Sequence, residues 1–113
     1  MQREAKVWGE RWLLRQDSSH ATSYLKLKKG YRCSWHSHVE KYNLFFLCSG
    51  KVGIVVEELG EKQEIILMQD ECCTVKPGQW HEFRIYEDST MLEEMFVAYS
   101  EGDIIRQQEG GRL

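Results

Sequence analysis

Two histidines one residue apart, His36 and His38, are the side chains of this sequence best suited to chemistry. On a β-strand, residues i and i+2 project to the same face, so both imidazoles would point in one direction. Two imidazoles on one face can act as neighbouring ligands of a transition-metal ion. The pair alone predicts such a site only weakly, because this spacing also arises by chance.

A second element strengthens the prediction of a metal site. Roughly forty residues later, Pro77 and Gly78 form a turn, and His81 stands where the next strand begins. Proline presets φ and glycine relaxes the turn, so the chain reverses and delivers His81 to a defined place. If that strand lies beside the strand of the histidine pair, three imidazoles converge. The alternative is that the histidines line an empty interior as polar filler.

The elements that must position these histidines are short strands separated by glycines. The chain has nine glycines and one proline, and no segment before residue 100 sustains a helical period for three turns. This pattern predicts an all-β sandwich or barrel. The predicted strands cover residues 6–15, 23–28, 31–35, 42–48, 53–57, 64–68, 72–76, 81–86 and 91–99, and the end of the chain is predicted to be a tail.

Length and charge limit the class of protein. A chain of 113 residues suits one domain, residues 1–113, and its net charge of −3 disfavours nucleic-acid binding through phosphate neutralisation. The longest apolar run, residues 44–48, is too short to span a bilayer, and the charged N-terminus lacks an apolar signal segment. We therefore expect a cytoplasmic protein without membrane or nucleic-acid partners.

The four cysteines form no C-x-x-C pair: Cys33, Cys48, Cys72 and Cys73. Buried free thiols are the simplest interpretation of this set. A redox role is the alternative, chiefly for Cys33, which is close in sequence to the histidine pair.

The histidine pair and the proline-glycine turn together resemble the motifs of the cupin family. The first cupin motif has a glycine, His-x-His, a glutamate and a glycine at fixed spacing, and the chain has at these places Gly30, His36-Ser37-His38, Asn43 and Gly50. The second motif corresponds to Pro77-Gly78-Gln79-Trp80-His81. The resemblance covers about residues 7–100, with residues 101–113 as the tail. It implies a small jelly-roll-like β-barrel that holds one divalent metal ion on His36, His38 and His81.

Asn43 is the departure from the cupin pattern. It stands where the family has a glutamate and offers a neutral carbonyl oxygen, so it is a candidate fourth ligand or a partner of a metal-bound water. The alternative is that it only caps a turn. Three imidazoles favour a divalent transition metal, with Fe, Ni, Zn, Cu or Mn as candidates, over magnesium or calcium.

A narrower resemblance points to the cupin part of type II mannose-phosphate isomerases. It rests on "KVWGERW", on residues 30–54 and on "EGDIIRQQEGGR". It implies an isomerase-type reaction on a small sugar or sugar-phosphate. Lys76, Arg84 and Arg106 are the candidate substrate-binding residues, and the ending that carries Arg106 matches the family.

Isomerisation also needs a base, and several side chains are candidates. Successive side chains of a strand alternate between its two faces, so Glu82 and Arg84 would point outward if His81 points inward. Glu82 is therefore predicted to be a surface charge. The candidate bases are Tyr42, Lys76, Glu82 and Glu94. Two other functions remain open: a non-catalytic carbohydrate- or metabolite-binding cupin, and a three-histidine metal dioxygenase.

The N-terminal run "KVWGERWLL" predicts how two copies would associate. As a single edge strand it would present Trp8 and Trp12 on one face. A lone edge strand invites pairing with another chain. We therefore expect a homodimer.

Overall fold

The structure is a computed structural model that describes residues 2–96 and 104–113, and the regular elements in these ranges are β-strands. In chain order the strands are β1 (Gln2–Lys6), β2 (Gly9–Gln16), β3 (His20–Leu27), β4 (Tyr31–Arg32), β5 (Trp35–Ser37), β6 (Tyr42–Ser49), β7 (Val52–Glu58), β8 (Glu61–Leu67), β9 (Cys72–Val75), β10 (His81–Ile85), β11 (Ser89–Phe96), β12 (Ile105–Gln108) and β13 (Gly111–Arg112). The prediction of an all-β chain is confirmed.

The strands form two antiparallel sheets. One sheet has the order β1-β2-β3-β11-β6-β9. In the other, β10 pairs with β4, β5 and β7, while β8, β12 and β13 extend the sheet beyond those partners. Within the described residues the sheets are not closed into one barrel by hydrogen bonds, and the architecture is jelly-roll-like.

Strand β6 shows how sequence alternation builds the interior. Asn43, Phe45 and Leu47 are buried, while the residues between them are half-exposed. Successive side chains on a strand point to opposite faces, so the buried set faces the second sheet. The core cluster contains Trp8, Leu25, Leu27, Cys33, Phe45, Leu47, Val52, Ile54, Val56, Leu67, Val75, Phe83, Ile85 and Met91.

Two turns contain residues with positive φ. Leu59 and Gly60 have φ of 52° and 80°, and they form the two-residue connection between β7 and β8. Positive φ at both positions matches the twist of a tight hairpin. Gly50, the last residue of the first motif, has φ of 96° and lies against Ser89, where a Cβ would collide. Glycine is therefore required at that point on two grounds.

The ends of the chain differ from the sequence-based predictions. The run predicted as one strand over residues 6–15 contains a turn at Val7–Trp8, so the edge strand is β1. Trp8 is buried against Phe83, with ring centroids 5.1 Å apart, whereas Trp12 aligns with the half-buried Tyr24. The two tryptophans therefore do not share an edge face. The sequence pattern missed the turn because Val-Trp carries no typical turn signal.

The C-terminal segment is more than a linker. Strand β12 pairs with β5, and β13 pairs with β4. The end of the chain therefore lies beside the strand that carries His36. Residues 97–99 of the last predicted strand, and residues 100–103 at the junction of core and tail, lie outside the described residues. No helix in the described ranges is long and apolar enough to cross a membrane.

Candidate metal centre and adjoining cavity

Two neighbouring strands bring the three predicted histidines together. His36 on β5 is directly opposite His81 on β10, and His38 follows the end of β5. The Gly78 N–H donates a hydrogen bond of 2.7 Å to the His38 carbonyl, which ties the proline-glycine turn to the histidine pair. The ligand atoms of the three buried imidazoles all lie within 4.8 Å of one another. This spacing suits one metal ion.

Backbone carbonyls set the tautomers of two of these imidazoles. Nδ1 of His36 is 2.7 Å from the Ser34 carbonyl oxygen, and Nδ1 of His81 is 2.9 Å from that of Gln79. A carbonyl only accepts hydrogen bonds, so each Nδ1 carries the proton. Each Nε2 therefore has a lone pair available for a metal ion, as is usual when a second contact orients a histidine ligand.

Burial keeps these two histidines neutral. Burial is the main cause that lowers the pKa of His36 to about 2 and that of His81 to about 4. Neighbouring positive charge, from Arg106 at His36 and from Lys41 at His81, acts in the same direction. Both imidazoles are thus unprotonated near neutral pH, the form that binds metal ions.

Two buried polar atoms test whether the residues present fit a metal ion. Nε2 of His81 and Oδ1 of Asn43 are buried without a hydrogen-bond partner in the described structure. Both are electron-pair donors, and leaving such atoms unsatisfied in the interior costs free energy. A cation held by the three imidazoles would satisfy Nε2 of His81, so the imidazole donor set fits a divalent transition metal.

Asn43 also contacts a carboxyl group that the motif comparison did not identify. Its side chain is 1% exposed, and its Nδ2 donates a 2.8 Å hydrogen bond to Glu93 on β11. Burial raises the pKa of Glu93, while Arg11 and Lys41 act against that rise. Asn43 at the usual carboxylate position therefore holds a carboxyl group contributed by another strand.

A cavity of about 130 Å³ adjoins the histidines. Its lining combines apolar groups with five charged side chains. The lining residues are Lys6, Trp8, Arg11, Leu25, Cys33, Ser34, His36, His38, Lys41, Phe83, Glu93, Met95, Ile104 and Arg106. A site that opens on such a cavity can bind a small polar molecule next to a metal ion.

Of the substrate-binding residues predicted from sequence, Arg106 lines this cavity. Its Nε donates a 3.1 Å hydrogen bond to Ser34 Oγ, which is itself 2.9 Å from Nδ1 of His36. Lys76 is exposed and is not part of the cavity lining. Tyr42 is half-buried and stacks on Phe96, with ring centroids 5.1 Å apart. Of the predicted substrate-binding residues, the structure therefore places Arg106 of the C-terminal strand, and not Lys76, beside the site.

Glu94 also lies away from the cavity. It alternates with the inward Glu93, accepts a hydrogen bond from Thr22 and forms an ion pair of 3.3 Å with His20. These contacts account for Glu94 without a catalytic role.

Glu82 is buried, contrary to the prediction of a surface charge. Its side chain is 4% exposed, against 44% for Arg84, whose Nε donates to it at 2.9 Å. Parity correctly places Glu82 on the face opposite to His81, but that face carries the stacked rings of Trp35 and Trp80. Alternation reveals the face of a strand and not what covers it. Arg84 thus serves a buried carboxylate and is not in the cavity lining.

The described cysteines are free thiols. Cys33 is buried as predicted, and its Sγ accepts the Phe83 N–H at 3.1 Å. Burial raises the pKa of this thiol. A neutral buried thiol is a poor nucleophile. A packing role therefore explains the burial of Cys33 better than a redox role does. Cys72 is exposed, which differs from the prediction of a buried set.

Four charged residues of the cavity were not among the site residues predicted from the sequence: Lys6, Arg11, Lys41 and Glu93. A signal existed for Glu93, because it alternates with Met91 and Met95 and so shares their buried face. No comparable signal exists for Arg11 or Lys41, which become cavity residues only through strand register and the path of a loop.

Comparison with solved structures defines the class of fold. An oxalate decarboxylase mutant from Bacillus subtilis superposes with a TM-score of 0.81 at 15% identity, covering 94% of this chain and 30% of that chain. The Bacillus subtilis enzyme at pH 4.6 superposes with a TM-score of 0.79 at 15% identity. A structure concerned with its Mn(II) centres superposes with a TM-score of 0.78 at 13% identity. Both comparisons cover the same shares of the two chains. No protein-family model and no curated protein sequence matches the chain.

The chain thus has a cupin-type fold with a three-histidine candidate metal centre. It spans about a third of the length of the decarboxylase chains to which it is similar. Identity of 15% supports the shared fold alone. The resemblance to mannose-phosphate isomerases is not supported by these structures.

Proposed function

We propose that the protein is a metal-dependent enzyme that converts a small anionic metabolite in the cavity beside His36, His38 and His81. The observation that carries this proposal is the convergence of three buried imidazoles, two of them with Nε2 lone pairs fixed by backbone carbonyls. Asn43 Oδ1 is the fourth donor in this proposal. The metal is Fe, Mn, Ni, Cu or Zn, and the manganese of the structurally similar decarboxylase makes Mn the first to test.

The residues around the centre have separable roles in this proposal. Ser34 and Gln79 hold the Nδ1 protons of two ligands, and Asn43 orients the Glu93 carboxyl group toward the cavity. Trp8 and Phe83 line the cavity with apolar surface and exclude water. When bound, the metal ion supplies Lewis acidity that polarises a carbonyl or hydroxyl group.

Isomerisation of a small sugar or sugar-phosphate is the reaction that the motif resemblance favours. It requires a group that moves a proton between adjacent carbons. Glu93 suits this role better than the four bases chosen from sequence, because Glu93 lines the cavity and Tyr42, Lys76, Glu82 and Glu94 do not. Arg106 is the cavity residue that the resemblance assigns to substrate binding.

A short carboxylate is the second candidate substrate. The cavity measures about 130 Å³, well below the roughly 300–1,000 Å³ of typical sites for drug-sized ligands. Oxalate is the substrate that the names of the similar structures give. The cavity volume therefore favours a substrate of few atoms, and a hexose phosphate would be large for it.

Metal analysis and a substrate screen test the proposed function. The purified protein is stripped with chelator and reloaded with each candidate metal. It is then assayed for aldose–ketose conversion of short sugar phosphates and for loss of short carboxylates. We expect one metal ion per chain and turnover that depends on it. Absence of stoichiometric metal would contradict the proposal, as would metal binding without turnover, which indicates a binding protein. Oxygen consumption by the iron form would identify a dioxygenase.

We also propose that the protein forms a homodimer through the six-stranded sheet. Trp12, Tyr24, Leu92 and Phe46 align across four adjacent strands and are all half-buried. Such a row of apolar side chains gives a second copy a surface to cover. Sedimentation that shows only a 13.4 kDa species would exclude this dimer.

A further inference from the structure

We propose that Arg106 is a positioning residue of the metal centre: through Ser34 it holds the imidazole of His36 in the orientation and tautomer that bind a metal ion. The proposal rests on the proposed function in one respect, that His36 is a metal ligand. It gives the C-terminal strand a role in the site beyond the substrate binding that the motif resemblance assigns to Arg106.

Strand β5, which carries His36, depends on the C-terminal strand for its place in the sheet. β5 has three residues, Trp35–Ser37, which is the lower end of strand lengths in globular proteins. It pairs with β10 at a single position, where His36 is opposite His81. On its other side, β12 pairs with every residue of β5. The position of His36 is therefore set by β12 as well as by β10.

Strand register brings Arg106 and His36 to the same face of the sheet. Arg106 is directly opposite His36 in the β12–β5 pair. Directly opposite residues of an antiparallel pair have Cβ atoms about 4.5–5.5 Å apart and share one face. The register then shifts by one residue between Arg106 and Gln108. Such bulges are frequent next to active sites, where they change the direction of a side chain. Register and bulge together place Arg106 beside the ligand.

Hydrogen-bond contacts continue from Arg106 to the imidazole. Nε of Arg106 donates to Ser34 Oγ at 3.1 Å, and this Oγ is 2.9 Å from Nδ1 of His36. Nδ1 is also 2.7 Å from the Ser34 carbonyl oxygen. The proton on Nδ1 is thus shared between two oxygen atoms of one residue. A hydroxyl oxygen has two lone pairs, so Ser34 Oγ can accept from Arg106 and from His36 together. Arg106 therefore fixes the Ser34 side chain, and Ser34 fixes the ring.

Burial makes these contacts effective. Ser34 and His36 are each 8% exposed, so water has little access to replace Arg106 as the donor to Ser34 Oγ. A serine hydroxyl group rotates to suit its surroundings and is held in one position only by its partners. Metal-binding histidines usually have a partner on the second ring nitrogen, and loss of such a partner typically costs about 10–100-fold in metal affinity. The contacts of Arg106 and Ser34 are of this kind.

The charge of Arg106 allows the sign of one effect to decide the proposal. A guanidinium group close to a divalent cation repels it. If Arg106 acted on the metal ion through its charge alone, removing Arg106 would tighten metal binding. If Arg106 positions His36, removing it weakens metal binding. A residue that served the substrate alone would not weaken metal binding in the substrate-free protein.

Titration of the substrate-free protein with Mn(II) and with Co(II) tests the positioning role. Arg106→Met removes the charge and the donor, whereas Ser34→Ala removes only the hydroxyl group. We expect each variant to weaken metal binding about 10–100-fold and to change the Co(II) absorption spectrum, which reports the ligand geometry. The double variant should bind no more weakly than the weaker single variant, because both residues act through one path. Arg15→Met is the matched control and should bind like the parent, because Arg15 is exposed and pairs with Asp17.

Nitrogen-15 NMR of the four histidines gives a second readout that needs no metal ion. We expect a slowly exchanging Nδ1–H signal for His36 in the metal-free parent, and its loss or broadening in both variants. The signal of His81, which the Gln79 carbonyl holds, should stay the same and shows that each variant is folded. Equal metal affinity of the parent and both variants would overturn the positioning role, as would tighter binding by Arg106→Met or an unchanged His36 signal. Absence of metal binding by the parent would refute the proposed function, and the His36 signal then decides whether Arg106 orients the ring.

Discussion

The interior between the two sheets has two halves of opposite character, although the same strands run through both. One half is apolar and includes Leu47, Ile54 and Ile85, all fully buried. The other contains the three histidines, Asn43, Glu93 and Lys41, which are buried or line the cavity. Along β10 the inward residues change from His81 through Phe83 to Ile85, and along β6 from Asn43 through Phe45 to Leu47.

This contrast separates stability from function within one fold. Apolar burial stabilises by roughly 25 cal/mol for each Å² removed from water, whereas buried polar groups are costly unless they are satisfied. Burial of the apolar half therefore stabilises the fold, and burial of the polar half lowers that stability. Under the proposed function, a metal ion satisfies the buried imidazoles there.

Replacing His81 with alanine should have the largest effect, and it should be confined to the polar half. The variant removes one of three imidazoles and the Nε2 that the Gln79 carbonyl orients. We expect loss of stoichiometric metal with the fold retained, measured by metal analysis and circular dichroism. His20→Ala is the matched control, because His20 is exposed and pairs with Glu94. Full metal occupancy in His81→Ala would disprove the ligand assignment.

Part of the polar half could be predicted from the sequence, because its histidines occur at the spacing of recognisable motifs. The His-x-His pair and the histidine after the proline-glycine turn are local patterns. The alternation of side chains along β10 predicts the face on which His81 lies. The register of β5 against β10, which sets His36 opposite His81, is a long-range fact that no local pattern contains. Lys41 and Arg11 reach the cavity for the same reason.

Ile85→Ala should produce the second largest effect and act on the apolar half. Ile85 is fully buried in the core, so truncation leaves a cavity and should lower the free energy of unfolding by about 2–5 kcal/mol. Denaturant titration measures this loss. Metal stoichiometry of the folded variant should stay unchanged, because Ile85 is four residues from His81 and outside the cavity lining. A loss of metal together with stability would show that the two halves are not independent.

The apolar half followed from composition and alternation, but the chain ends did not. Alternating runs such as those of β3 and β6 predict buried faces directly, and the strands formed as expected. Val7–Trp8 carries no typical turn signal, so residues 6–15 were predicted as one strand. The pairing of β12 with β5 joins segments distant in the sequence, and no local pattern contains it.

Lowering the pH from 7 to about 5 should weaken the metal-free protein through the buried histidines of the polar half, by about 1.4 kcal/mol per pH unit for each histidine at most. His36 and His81 have pKa values of about 2 and 4 in the folded protein, below the ordinary 6.5. Between pH 6.5 and 4 the unfolded chain binds protons that these two folded imidazoles do not. The free energy of unfolding should therefore change little between about pH 7 and pH 8 and fall as pH decreases below 6.5.

Variants assign this pH dependence to one half of the interior. Glu93 has the opposite effect on stability. Its pKa is raised in the folded protein, so its protonation as pH falls favours the folded state. His81→Gln should remove one histidine's share of the slope, measured by denaturant titration from pH 7.5 to 4.5. Ile85→Ala should lower the whole curve and leave its slope unchanged. Equal stability of the parent protein at pH 7 and pH 5 would mean that the imidazoles are not buried as neutral groups. The polar half would then be open to water and poorly suited to hold a metal ion.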